Sequence, residues 1–131
     1  MNRWMASVTK PVKVTSLIKS ALDKEAEKLI DKILKPRSVK VPLPESSSNY
    51  LVDIYTKWHG NSFYFCSKHN SPGKNAISPS FEIKFAKMVH VGDGKFNLSY
   101  MRYNDKWLEL HRNLTLQECL HAIEHEPYFM V

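Results

Sequence analysis

"YLVDIYTKWHGNSFYFCSK", Tyr50 to Lys68, decides how the rest of this chain is read. Tyr50, Val52, Ile54, Thr56 and Trp58 fall on one side of a period of two, with Asp53, Lys57 and His59 on the other. That alternation marks a half-buried strand. Gly60-Asn61 then supplies a two-residue turn, because glycine and asparagine accept the positive φ of tight hairpins. A hairpin closed there pairs His59 with Ser62, Trp58 with Phe63, Thr56 with Phe65 and Tyr55 with Cys66. Phe63 and Phe65 then join Ile54 and Trp58 on a core face. Tyr55 and Tyr64 stand on the other face, beside Lys57 and Lys68.

The same pairing weighs the chemistry of the segment. His59 and Cys66 share a face but sit about four strand steps apart, roughly 13 Å, whereas zinc needs its ligands at about 2.0–2.3 Å. Cys66 and His69 form a lone C-x-x-H spacing with no second pair. His121 and His125 have the i, i+4 spacing that can chelate, but Ala122 stands where the metalloprotease pattern places glutamate. No metal and no cofactor is expected. Cys66 with His69 is the nearest approach to a nucleophile and its base, and a cysteine packed on a strand explains Cys66 more economically. The four glycines show neither phosphate-loop nor dinucleotide spacing.

Outward from the hairpin the alternation continues. In "FEIKFAKMVHV", Phe81, Ile83, Phe85, Val89 and Val91 are expected on one face. Gly92-Asp93-Gly94 turns into "KFNLSYMRY", and Asn104-Asp105 into "KWLELHR". Thr115 and Glu118 make a capping box ahead of an apolar face of Leu116, Cys119, Leu120 and Ile123, and Pro127 ends that helix. Upstream, Leu17, Ile18, Ala21, Leu22, Ala26, Leu29, Ile30, Ile33 and Leu34 recur at helical spacing. Thr15 or Ser16 caps this helix, Pro36 is expected to stop it, and Lys24, Lys28, Lys32 and Lys35 line its solvent side. Residues 1–15 read as an extended arm, and Lys35 to Asn49, with three prolines and three consecutive serines, as a linker. The expected fold is α+β: an N-terminal helix, a five-stranded antiparallel meander and a C-terminal helix packing on the sheet. The expected division is 1–49 for arm, helix and linker, and 50–131 for the sheet with its helix.

The chain has 131 residues, 43% apolar and 24% charged, which suits one folded core. Its net charge of +6 is uneven: residues 1–49 hold ten Lys or Arg against five acids, and residues 50–131 nine against eight. No apolar run reaches the ~20 residues of a membrane span, and the N-terminus lacks a secretory apolar core. It is acid-free through Leu22, as an organelle transit peptide would be, but holds a single Arg where such peptides are Arg-rich. Two cysteines suit reduced thiols. The expected location is the cytoplasm.

"TKWHGNSFYFCSKHNSPGKNAISPSFEIKFAKM", "FNLSYMRYNDKWLEL" and "LTLQECLHAIEHEPYF" resemble a small uncharacterised bacterial protein family, a domain of unknown function. The likeness covers about residues 50–131. It implies a small bacterial-type domain and transfers no catalytic residue. The function expected is therefore a non-enzymatic binding or interaction module with an unidentified protein partner and no membrane role. The alternative is a basic protein associated with nucleic acid or the ribosome. Lys24, Lys28, Lys32, Lys35, Tyr55, Lys57, Tyr64 and Lys68 are then the contacting residues, aromatic faces stacking on bases and lysines meeting phosphates.

Overall fold

The computed structural model describes residues 11–39, 49–72 and 79–131. Residues 1–10 of the expected arm, residues 40–48 of the expected linker, and residues 73–78 lie outside the described residues. The elements run α1 (Ser16–Leu29), a π-helical segment (Ile30–Leu34), α2 (Lys35–Ser38), β1 (Tyr50–His59), β2 (Ser62–Asn70), β3 (Ser80–Gly92), β4 (Lys95–Met101), β5 (Trp107–Thr115) and α3 (Leu116–His125). A 3-10 turn, Pro127–Phe129, follows. The five strands form one antiparallel sheet in chain order, as neighbours joined by short turns do.

Local chemistry accounts for the joints. Gly60 takes φ 60° at the first hairpin, and Asp93 and Gly94 take 53° and 67° at the β3–β4 turn, a left-handed pair suited to the twist of the flanking strands. The register is the one expected from Gly60-Asn61: His59 opposite Ser62, Trp58 opposite Phe63, Tyr55 opposite Cys66. Thr115 and Glu118 close the capping box, with Glu118 N–H on Thr115 Oγ1 at 3.1 Å and Thr115 N–H on Glu118 Oε1 at 2.8 Å. Thr15 caps α1 by accepting from Ile18 N–H.

Pro36 does not stop the first helix. It lies in α2, and the preceding turn widens so that Lys35 N–H donates to Ile30 O, five residues back. A proline lacks an amide hydrogen and crowds the carbonyl four residues earlier; a π-turn relieves both without ending the helix. The expected linker therefore begins later than Lys35. Arg37, inside that continuation, donates from Nη1 to Glu124 O at 2.7 Å and ties α2 to the last turn of α3.

Both helices cover one face of the sheet. Leu22, Ala26, Leu29, Ile30 and Leu34 meet Ile54, Phe63, Phe65, Met88 and Leu98 there, with Cys119, Leu120 and Ile123 from α3. The apolar stripe of α1 and the π-helical segment is narrower than its sequence pattern, with Leu17 81% and Ile33 37% exposed.

The strands depart from strict alternation where a residue is inserted. β1 shifts register between Leu51 and Asp53, so Leu51 joins Ile54 in the core in place of Tyr50 and Val52. In β3 Phe85 is the extra residue opposite Phe65/Cys66. Phe85 is buried, but beyond it Ala86, Met88 and His90 face the core, not Val89 and Val91. A bulge moves every later side chain to the opposite face. No helix among the described residues is long and apolar enough to cross a membrane.

Candidate nucleic-acid interface

The face of the sheet turned away from the helices collects aromatic rings and lysines. Pairing places Lys57, Tyr64, Lys87, Ser99 and Glu109 in one row across all five strands. The next row holds Tyr55, Cys66 and Lys84. The twist and bulges of the sheet bring Trp107 of β5 over to Tyr64 of β2, ring centroids 5.8 Å apart, across two intervening strands. Lys87 Nζ lies 5.9 Å from the Tyr64 ring and 5.8 Å from that of Trp107, and Lys84 Nζ is 5.4 Å from Tyr64. A cation is held over such rings by their quadrupole.

Charges on this face divide into two groups. Lys57 is bound to Glu82 at 2.7 Å, and Tyr55 donates its hydroxyl to the same carboxylate. Hydrogen bonds from Lys57 and Tyr55 hold Glu82 below the usual carboxylate range, and the bond to Glu82 raises Lys57. Burial, then Glu82, raises the Tyr55 phenol, which stays neutral. Arg112 is tied to Glu109, which also accepts from Asn97. Among the described residues Lys68, Lys84 and Lys87 carry no ion pair, and of these Lys84 and Lys87 lie beside Tyr64, with Lys87 also beside Trp107.

The eight residues expected from sequence are split between the two sides of the domain. Tyr55, Lys57, Tyr64 and Lys68 share the uncovered face. Lys24, Lys28 and Lys32 are exposed on the helices that cover the other face, and Lys28 is engaged by Glu25 at 3.2 Å. Lys35 reaches the edge strand and binds Asp53 at 3.1 Å, which raises its pKa. The helix lysines and the aromatic face do not form one surface. Sequence reasoning missed Lys84, Lys87 and Trp107. The signal that would have found Trp107 is the alternation in "KWLEL", which sets Trp107 and Glu109 against Leu108 and Leu110.

The other candidates separate. Cys66 and His69 lie three residues apart on one strand, on opposite faces. Burial, with a contribution from Glu82, pushes the Cys66 thiol up to about 11, away from a nucleophilic thiolate. His69 instead meets Ser67, Nε2 to Oγ 2.9 Å. His121 and His125 stack with ring centroids 4.4 Å apart, but no group of three or more ligating side chains with metal-binding geometry occurs among the described residues.

The family follows from the span of the match, which runs from residue 14 to residue 131. The chain belongs to the domain of unknown function DUF3024. The DUF3024 match begins before α1, so the helix that shares the sheet's core lies within the family unit and not only residues 50–131. Comparison with curated proteins and with solved structures gave no match.

Proposed function

We propose that this domain is a non-enzymatic binding module whose working surface is the uncovered sheet face, and that it takes single-stranded nucleic acid. The observation that carries the reading is the Tyr64–Trp107 pair, 5.8 Å apart with Lys87 within 6 Å of both rings. Two rings on a strand surface offer stacking to two bases, and stacking contributes about 1–3 kcal/mol per base without reading sequence. Lys68, Lys84 and Lys87 supply phosphate contacts. A protein partner ranks first on sequence alone, and this aromatic and basic cluster favours nucleic acid over it. Two free, buried cysteines suit a reducing, cytoplasmic setting.

Fluorescence anisotropy with a labelled single-stranded oligonucleotide at several salt concentrations tests this. Three phosphate contacts give a log–log slope near −2 for a single strand. Tyr64→Ala and Trp107→Ala should each weaken binding by about tenfold, and Lys24→Gln with Lys32→Gln should change nothing. No binding at low salt, or binding indifferent to Tyr64 and Trp107, removes the proposal.

A further inference from the structure

A concave site lies on the helix side of the sheet, beyond the area the helices cover. It is a cleft of about 360 Å³ between the ends of β2 and β3, the β4–β5 hairpin and the C-terminal segment. Ser67 and Phe85 form its buried floor, and His69, Ile83, Arg102 and Tyr128 are among its walls. Its volume falls within the range of small-molecule pockets, with room for on the order of a dozen water-sized groups at ~30 Å³ each.

Several large apolar side chains on the walls are open to solvent. Ile83 is 40% exposed, Tyr128 52%, Met130 46% and Tyr103 92%. Contiguous exposed apolar surface of this kind marks a binding site more often than scattered single residues do. Tyr128 is fixed from behind, its ring 4.9 Å from Tyr100, and His69 is stacked on Phe81 at 5.1 Å with planes 10° apart. Tyr128 and His69 are therefore packed against neighbouring rings before a ligand enters.

The polar groups define the ligand's charge. Arg102 lines the cleft with its guanidinium 5.7 Å from the Tyr103 ring, and no carboxylate among the described residues forms an ion pair with it. Burial lowers the pKa of His69, leaving its imidazole neutral near pH 7 and Arg102 the cation of the site. Asp105 also lines the cleft without forming an ion pair with Arg102; its charge repels any anion, and a multiply charged one such as a phosphate ester most strongly. The open guanidinium and the apolar walls suit a single negative charge on an apolar body, and Asp105 works against any higher one.

We infer that the cleft between Ile83, Arg102 and Tyr128 binds a small apolar carboxylate, an alkyl or aryl acid whose carboxyl meets Arg102 while its hydrocarbon lies along Ile83, Phe85 and Tyr128. Arginine suits this role because its planar donors match a carboxylate in two parallel hydrogen bonds. The site is independent of the nucleic-acid surface, which lies on the opposite face of the sheet.

Amide chemical-shift mapping of the full chain with octanoate, and with 1-octanol as its neutral counterpart, tests the inference. Octanoate should give saturable shifts confined to residues around Ser67, His69, Ile83, Arg102 and Tyr128. It should bind at least fivefold more tightly than 1-octanol. Arg102→Gln should erase that preference, Lys24→Gln on α1 should leave it intact, and Ile83→Glu should abolish binding of both ligands. The same spectra report whether each variant is folded. Equal affinity for acid and alcohol, an Arg102→Gln variant that binds octanoate as the parent does, or shifts centred on Tyr64 and Trp107 would each overturn it. So would concentration-dependent shifts at Ile83 and Tyr128 without ligand, together with no effect of octanoate, because a second copy would then occupy the cleft.

Discussion

Trp58 donates its indole N–H to Asp23 Oδ1 at 2.8 Å, a bond that joins the edge strand β1 to helix α1. The Trp58 ring is also 4.8 Å from that of Phe63 and lies under Lys19, so it seals the border between helix and sheet without being fully buried. Trp58→Ala should cost about 2–3 kcal/mol in urea denaturation, below the ~3–5 of a wholly buried aromatic. Asp23→Ala should cost about 1 kcal/mol or less, and the double-mutant cycle should return a coupling of about that size. Tyr64→Ala, on the uncovered face, should cost less than Trp58→Ala; the reverse order would mean that the sheet carries its core on its other side.

Cys66 should be nearly inert in the folded protein. With its thiol pushed up to about 11 by burial, the thiolate fraction at pH 8 is on the order of 10²-fold below that of a free cysteine with pKa ~8.5. Labelling by iodoacetamide should be correspondingly slow and should accelerate with pH. Rapid modification of Cys66 at pH 7 would show a thiol activated by its surroundings and reopen nucleophilic chemistry.

Alkaline pH should destabilise the fold. Burial holds the Cys66 thiol near 11 and, with Glu118 adding to it, the Cys119 thiol near 12, both above the free value. Groups raised in this way contribute stability that is complete below ~8.5 and is lost as pH rises through the folded values. Tyr55 and Lys57 are raised too and act in the same direction at higher pH. Urea midpoints should fall between pH 9 and 11, and Cys119→Ala should flatten part of that fall. A midpoint rising over this interval would contradict the buried placement of the thiols.

The cap of α3 is measurable by itself. Thr115→Ala removes the acceptor for Glu118 N–H and should cost ~1 kcal/mol. Thr115→Ser, which keeps the oxygen, should recover most of it. Equal losses for alanine and serine would assign the effect to the methyl group and not to capping.

His90 fastens the segment before α1 to the β3–β4 turn. Gly94 N–H donates to Nε2 at 3.1 Å, so the ring hydrogen sits on Nδ1, which donates to Val12 O at 2.9 Å. His90→Phe would keep an aromatic ring beside Phe96, 5.3 Å away in the parent, and lose both bonds. Hydrogen exchange should then quicken at Gly94 and Val12 more than at Phe65. Uniform acceleration across the sheet would show that the residue serves global packing alone.

Sequence determined the parts of this protein that depend on near neighbours. The Gly60-Asn61 turn sets the β1–β2 register, because a two-residue loop leaves one way to pair the flanking residues. Thr115 and Glu118 start α3 by bonding within a single turn. Side-chain period then assigned Trp58, Phe63 and Phe65 to one face and Tyr55 and Tyr64 to the other. Tertiary structure decided what depends on distant partners. The inserted residue at Phe85 is fixed by how β3 meets β2, so nothing local in "FEIKFAKMVHV" announces that the alternation changes sides there. Pro36 stays helical because the preceding turn widens within a segment held against the core by Ile30 and Leu34. Trp107 meets Tyr64 through the twist of four paired strands, and the helix lysines are parted from them because α1 packs on the opposite face. Spacing along the chain encodes turns, caps and faces; which faces and rings come together is set by the packing of elements far apart in sequence.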